Sequence, residues 1–229
     1  MATENSNPSI KHPSQRVGVF IDVQNMYYSA KALYNSKVDF GEILTTAVAD
    51  RQLIRALAYV VRATGEEDSF FEALNQRGIE TKERELQEFH GGAKKADWDV
   101  GITVDAIRIG EVLDVVVLVS GDGDFVELVE YLKHHGKQVE VVAFRKSASS
   151  RLVEAADDFV DLGADKKYLI TGRGRGKATI ETLIDKDYIV PKAGFESFWI
   201  TPPPEKSTRK RPSSSGTKSK RKPKRDTKK

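Results

Sequence analysis

Residues 115–125 read Val-Val-Val-Leu-Val-Ser-Gly-Asp-Gly-Asp-Phe, an apolar run that ends in a polar turn. A short run of consecutive aliphatic residues predicts a strand that is buried on both faces, as in a parallel sheet. The turn places Asp122 and Asp124 at the carboxyl end of this strand, directly before a helical pattern. This stretch therefore predicts an α/β fold with acidic side chains at one edge of its sheet.

The rest of the chain alternates in the same way. Three further apolar runs predict strands, and a weaker one predicts an edge strand, at residues 17–21, 53–61, 139–143 and 79–82. Helical periodicity separates them, at residues 40–48, 69–76, 97–109, 125–134 and 149–156. Strands that alternate with helices indicate a three-layer α/β/α domain with a mostly parallel central sheet.

The composition excludes several kinds of chemistry. The chain of 229 residues contains no cysteine, so disulfides, zinc–thiolate sites, iron–sulfur clusters and thiol catalysis are ruled out. No apolar run approaches the roughly 18 residues that a membrane span needs. With 31% charged residues, the composition predicts a soluble, cytoplasmic protein that does not bind membranes.

The charge is unevenly distributed. Residues 205–229 carry twelve Lys or Arg and two acids, whereas the first 204 residues have a net charge of −7. Residues 201–229 have no apolar face to bury, so we expect a disordered basic tail. Residues 1–14 are predicted to be disordered for the same reason, residues 15–167 to form the main domain, and residues 168–200 to form a short extension that packs on it.

Basic residues in two segments are candidate contacts for nucleic acid. The tail offers Lys220, Arg221, Lys222, Lys224 and Arg225, with a solubilising role or an acidic protein partner as the alternatives. The loop after residue 170 offers Arg173, Arg175 and Lys177, with a solvated linker as the alternative.

Acidic residues also occur directly after the first predicted strand and at the start of the predicted helix that precedes residues 115–125. Asp22 ends the 17–21 run and Asn25 lies one turn later, while Asp97 and Asp99 begin the 97–109 helix. Because ligands bind at the carboxyl ends of parallel strands, we expect these acids to meet Asp122 and Asp124. Carboxylates held together repel one another without a cation, and Mg²⁺ or Mn²⁺ prefers such oxygen ligands.

Each acid also has a structural interpretation. Asp22 is also a candidate cap of the next helix, and Asp122 and Asp124 are candidate turn residues. Asp97 and Asp99 are acids of the kind that stabilise a helix N-terminus, an interpretation that suits Asp97 better. Asp105 lies six residues beyond Asp99, which is about 240° of helix rotation, so we expect it to point elsewhere. The combination of acids from three places favours a functional site.

Four segments resemble, in chain order, the NYN domain in its bacterial LabA-like (DUF88) branch, which has a PIN-like nuclease fold. Residues 19–25 resemble the opening strand with its Asp-x-x-Asn, and residues 120–125 resemble the Ser-Gly-Asp-x-Asp-Phe signature. Residues 95–106 are similar to the Lys-Gly-x-Asp-Val segment with one additional residue, and residues 136–141 to the Gly-x-x-Val-x-Val that follows the signature. The similarity spans about residues 16–165.

The resemblance implies a metal-dependent endoribonuclease. It implies that Asp22, Asp99, Asp122 and Asp124 bind Mg²⁺ or Mn²⁺, with Asn25 as their polar neighbour in the catalytic site. The additional residue leaves Asp97 as an alternative to Asp99, although Val100 favours Asp99. The expected substrate is single-stranded RNA.

Two other functions stay open at this point. A noncatalytic RNA-binding or regulatory protein would keep the same fold, and a homodimer is compatible with either function. A phosphatase of the haloacid dehalogenase type would need a second acid two residues after its nucleophile, but Gln24 stands in that position after Asp22.

Overall fold

A six-stranded sheet forms the centre of the computed structural model, which describes residues 11–62, 69–85, 87–88, 94–95 and 98–170. The elements in chain order are β1 (Arg16–Asp22), α1 (Val23–Tyr34), β2 (Lys37–Val38), α2 (Phe40–Val48), β3 (Gln52–Arg62), α3 (Ser69–Gln76), β4 (Glu80–Glu85), β5 (Gln87–Glu88), β6 (Lys94–Lys95), α4 (Asp99–Gly110), β7 (Val115–Val119), α5 (Val126–His134), β8 (Gln138–Ala143), α6 (Ser150–Ala155), β9 (Asp158–Asp161) and β10 (Leu169–Ile170). Short 3₁₀ turns at Gly123–Phe125 and Lys166–Tyr168 complete the described part.

The strand order of the central sheet is β4-β3-β1-β7-β8-β9, and every pair of neighbours is parallel. This confirms the predicted α/β fold with a mostly parallel sheet. Two short antiparallel pairs, β2 with β10 and β5 with β6, lie outside the central sheet. All five residues of β7 are buried, as expected for a central strand covered on both faces.

The connections run outward from β1 to β3 and β4 on one side, and from β7 to β8 and β9 on the other. The junction of β1 and β7 is therefore the place where the strand order reverses, and open α/β sheets generally bind ligands at the carboxyl ends of the strands at such a point. Ile21 pairs with Val119 across this junction, and Asp22 pairs with Tyr59 of β3.

The structure adds elements that the sequence pattern did not predict. Helix α1 follows β1 directly, and β9 extends the sheet beyond β8. The bounds of α2, α3 and β7 coincide with the predicted ranges, and Gly136 has a φ of 75° just after α5, as a C′ glycine should. No helix among the described residues is sufficiently long and apolar to cross a bilayer.

The candidate RNA contacts at Arg173, Arg175 and Lys177 and in the basic tail lie outside the described residues, as do Asp97 and the predicted extension beyond residue 170.

Candidate metal centre

Three carboxylates converge at the carboxyl edge of the sheet. Oxygen atoms of Asp99, Asp122 and Asp124 all lie within 4.8 Å of one another. Asp122 is buried, Asp99 is half-buried and Asp124 is exposed, so the cluster extends from the protein interior to solvent. Asp99 is the first residue of α4, and the other two lie in the turn after β7.

Asp22 adjoins this cluster from the end of β1. It caps α1, with Oδ1 accepting the Asn25 N–H at 3.0 Å, while Ser120 donates its hydroxyl to Oδ2 at 3.2 Å. Burial raises the pKa of Asp22 to about 7, against the effect of the Asn25 N–H, and repulsion from Asp99 and Asp122 adds to the increase. Asp22 therefore both caps α1 and belongs to the acidic surroundings of the cluster.

Backbone contacts hold the β7 turn in shape. The Asp122 carboxylate accepts the Asp124 N–H at 3.0 Å, and the Asp122 N–H donates to the Ser120 hydroxyl at 3.2 Å. Burial raises the pKa of Asp122, against the effect of the Asp124 N–H, and the Asp124 carboxylate raises it further. Both carboxylates are therefore held in a site that disfavours their charged form, chiefly through burial and additionally through the neighbouring carboxylates.

Asn25 links the two halves of the site. Its side-chain oxygen accepts the Gly121 N–H at 2.9 Å, which ties the first turn of α1 to the turn after β7. A hydrogen bond of this kind makes Asn25 a positioning residue for the acidic turn. Gly121 also approaches the next loop closely, because a Cβ atom there would lie 3.0 Å from the Ala148 Cα.

Asp105 lies apart from the cluster, as its spacing from Asp99 predicts. It accepts the Tyr59 hydroxyl at 2.8 Å and pairs with the Lys82 ammonium at 2.6 Å. Burial acts to raise the pKa of Asp105, but these two hydrogen bonds outweigh it and the pKa is lowered.

Several residues at this edge were missed by the sequence analysis. No role was predicted for Ser120 beyond its place in the Ser-Gly-Asp-x-Asp-Phe segment. The segment from the end of β8 to the first turn of α6 carries three exposed basic side chains, Arg145, Lys146 and Arg151. The Ser149 N–H in this segment donates to the Gly121 carbonyl at 2.9 Å, so the segment lies against the acidic turn. The position of these residues after a predicted strand was the signal that could have identified them.

The donor set fits a small divalent cation. Carboxylate oxygens are the ligands that Mg²⁺ and Mn²⁺ prefer. A cation would offset both the burial and the mutual repulsion that raise the pKa values of Asp22 and Asp122.

Fold and site together define an α/β protein with an acidic centre at the reversal point of a parallel sheet. The NYN domain family model matches residues 16–163, and the chain belongs to that family. The chain is 27% identical over 164 residues to the low amplitude and bright protein LabA of Synechococcus elongatus, covering 67% of this chain and 87% of that protein. A crystal structure of a protein of unknown function from Vibrio parahaemolyticus is similar, with 33% identity and a TM-score of 0.64 over 70% of this chain and 99% of that one.

The environment of Asp22 leads to a prediction on stability. In the metal-free protein, the folded chain binds more protons than the unfolded chain between about pH 4 and 7, so the free energy of unfolding falls as pH rises through that range. We expect Asp22→Asn to stabilise the metal-free protein at pH 8 by up to about 4 kcal/mol, since each pKa unit by which Asp22 lies above its ordinary value is worth about 1.4 kcal/mol. The gain should disappear near pH 4, where Asp22 is largely protonated.

Urea unfolding in EDTA at pH 8 and near pH 4 measures this effect. Asp105→Asn is the matched control with the opposite sign, because the lowered pKa of Asp105 contributes stability at neutral pH that is lost on acidification. Destabilisation by Asp22→Asn at pH 8 would contradict the prediction.

Proposed function

We propose that this protein is a metal-dependent endoribonuclease that hydrolyses RNA phosphodiester bonds at the acidic edge of its sheet. The observation that carries the proposal is the cluster of Asp99, Asp122 and Asp124, whose oxygens lie within 4.8 Å of one another at the reversal point of the sheet. Membership of the NYN family supports an RNA-related role for this edge.

Asp99, Asp122 and Asp124 are the residues that would hold Mg²⁺ or Mn²⁺, with Asp22 beside them. Such an ion supplies activation of water and stabilisation of the charge that develops on a phosphate. The chain itself holds the ligands in position before any ion arrives: the Asp124 N–H fixes Asp122, the Ser120 hydroxyl fixes Asp22, and Asn25 keeps their two turns together. This preorganisation keeps the carboxylates close despite their repulsion.

The segment after β8 carries positive charges that would attract the negatively charged RNA backbone. Arg145, Lys146 and Arg151 are exposed in the segment that lies beside the acidic turn. These three side chains would offset the repulsion between RNA and a chain whose first 204 residues are net negative. Arg173, Arg175 and Lys177, which lie outside the described residues, are proposed as further contacts for the RNA backbone.

Cleavage of labelled single-stranded RNA by the intact chain, with Mn²⁺, Mg²⁺ or EDTA, tests the proposal. We expect cleavage with either ion and none with EDTA, and we expect the double variant Asp22→Asn/Asp122→Asn, purified identically, to be inactive. Equal activity of both proteins would indicate a contaminant. RNA binding without cleavage would favour a noncatalytic regulator instead.

The basic tail is proposed to add affinity for RNA without reading sequence. We expect deletion of residues 205–229 to weaken binding and to flatten its salt dependence by about 0.7 in log–log slope for each phosphate that the tail neutralises in the intact chain. A tail of equal length with Lys220, Arg221, Lys222, Lys224 and Arg225 replaced by Gln is the matched control for charge. An unchanged salt slope after deletion would exclude this role.

A further inference from the structure

The Trp98 ring is held in a fixed position at the start of α4, one residue before Asp99. Its Nε1–H donates to the Val60 carbonyl at 2.9 Å, and the Tyr59 ring meets it edge-on with centroids 5.4 Å apart. A Cβ atom on Gly101 would lie 2.4 Å from a ring carbon, so the ring packs where only glycine leaves room. These contacts define one orientation of the indole.

Arg84 covers this ring from the edge strand β4. Its guanidinium carbon lies 4.4 Å from the Trp98 ring centroid, and the Arg84 side chain is exposed. Such a cation–π contact is worth about 0.5–1 kcal/mol at an exposed site and favours a guanidinium that lies over the ring. A planar cation held in this way is a surface on which a nucleobase can stack.

The position of this pair relates it to the proposed reaction. Trp98 directly precedes Asp99 in the chain, and Tyr59, which contacts the Trp98 ring, pairs with Asp22 in the sheet. Arg84 pairs with Val61, two residues beyond Tyr59 on β3. With strands about 4.8 Å apart and a rise of about 3.3 Å per residue, the Arg84 Cα lies about 12 Å from the Asp22 Cα. An RNA strand with a phosphate at the carboxylates would therefore have a neighbouring nucleotide within reach of the long Arg84 side chain.

We propose that Arg84, supported by Trp98, stacks on an unpaired base of the RNA next to the phosphate at the acidic cluster. The inference rests on the proposed function and specifies its substrate class as single-stranded RNA or an unpaired loop. A base inside a duplex has both faces covered by its neighbours, so it cannot stack on a side chain in this way. Arg84 and Trp98 are positioning residues for the reaction.

Trp98 fluorescence tests this directly. The chain has two tryptophans, so a Trp199→Phe/Asp122→Asn background reports on Trp98 alone and does not cleave RNA. The probes, in EDTA, are a short single-stranded RNA and an abasic oligonucleotide of the same length and charge. We expect the base-bearing probe to quench Trp98 fluorescence and the abasic probe to leave it unchanged.

Arg84→Lys separates stacking from charge, because it keeps the cation and removes the plane. We expect it to weaken binding of the base-bearing RNA by at least about fivefold, the lower end of what one stacked base contributes, and to leave abasic binding unchanged. Arg108→Lys, at an exposed position on α4, is the matched control. Thermal unfolding of each variant establishes that it is folded.

Equal affinity of Arg84→Lys and the parent for RNA would overturn the stacking site, as would equal quenching by both probes or an absence of RNA binding. The proposed function is judged separately, by cleavage with Asp122 restored. Cleavage that is insensitive to Arg84→Lys would overturn the stacking site alone. Base-dependent quenching without any cleavage would overturn only the enzymatic function.

Discussion

Asp122→Asn is expected to lower metal-dependent RNA cleavage by at least about 1000-fold, because a catalytic ion contributes several kcal/mol to the transition state. Asp122 is the buried member of the three-carboxylate cluster. Its amide replacement keeps the size of the side chain and an oxygen for the Asp124 N–H, but removes the charge that attracts the ion. Single-turnover cleavage at saturating protein, measured across a Mn²⁺ titration, separates weaker ion binding from slower chemistry.

Glu130→Gln is the matched control for this loss of charge. Glu130 is exposed on α5 and lies outside the cluster, so we expect its variant to cleave RNA at the parent rate. Asp99→Asn should behave like Asp122→Asn, since Asp99 contributes the half-buried oxygen of the same cluster. Wild-type cleavage by both Asp99→Asn and Asp122→Asn would remove the cluster from the mechanism.

The second large effect concerns the buried ion pair of Arg51 and Glu140. Two Arg51 nitrogens donate to the Glu140 carboxylate at 2.7 and 2.9 Å, and the two side chains are 0% and 1% exposed. Glu140→Leu leaves a guanidinium in the interior without its counter-charge, so we expect it to lower the free energy of unfolding by about 3–5 kcal/mol. Urea unfolding at neutral pH measures this loss.

Replacing both partners shows whether the loss of stability comes from the unpaired buried guanidinium or from the absence of the ion pair itself. The double variant Arg51→Met/Glu140→Leu removes both charges, and apolar pairs in such places are often as stable as the ions they replace. We therefore expect recovery of most of the loss, but not all of it, because the carbonyls of Ala47 and Val48 at the end of α2 lose the hydrogen bonds that Arg51 donates to them. A double variant that is less stable than Glu140→Leu would contradict this account.

The sequence predicts those elements whose pattern is determined by burial. Strand β7 and helices α2 and α3 were predicted with correct bounds, because apolar runs and apolar periodicity follow directly from a covered sheet. A helix after Asp22 was considered only as something that Asp22 could cap. The range of α1 was not predicted, because its buried face consists of only Val23, Met26, Ser29 and Ala30, among polar neighbours. Strand β9 reads Asp-Phe-Val-Asp, and its place at the sheet edge comes from pairing with β8 rather than from its own pattern.

The same distinction holds for the candidate site, where features that follow from the sequence pattern were predicted and individual side-chain contacts were not. The rule that parallel strands present their carboxyl ends together predicted an acidic cluster at this edge, and the family resemblance favoured Asp99 over Asp97 as the acid that joins Asp122 and Asp124. The hydrogen bond from Gly121 to Asn25 and the stacking of Arg84 on Trp98 join residues that are far apart in the chain. Such contacts depend on side-chain geometry, which periodicity does not encode.

The β1–β7 junction has a further consequence for how the protein reaches its working state. Asp22 belongs to the strand on one side of that junction, Asp122 to the turn on the other, and nearly a hundred residues separate them along the chain. A nascent or partly folded chain with only one half of the sheet formed would therefore possess only part of the acidic centre. During refolding, the proposed ion binding should therefore recover only with the pairing of β1 with β7, so the complete acidic centre and the complete central sheet would form in the same late, non-local step.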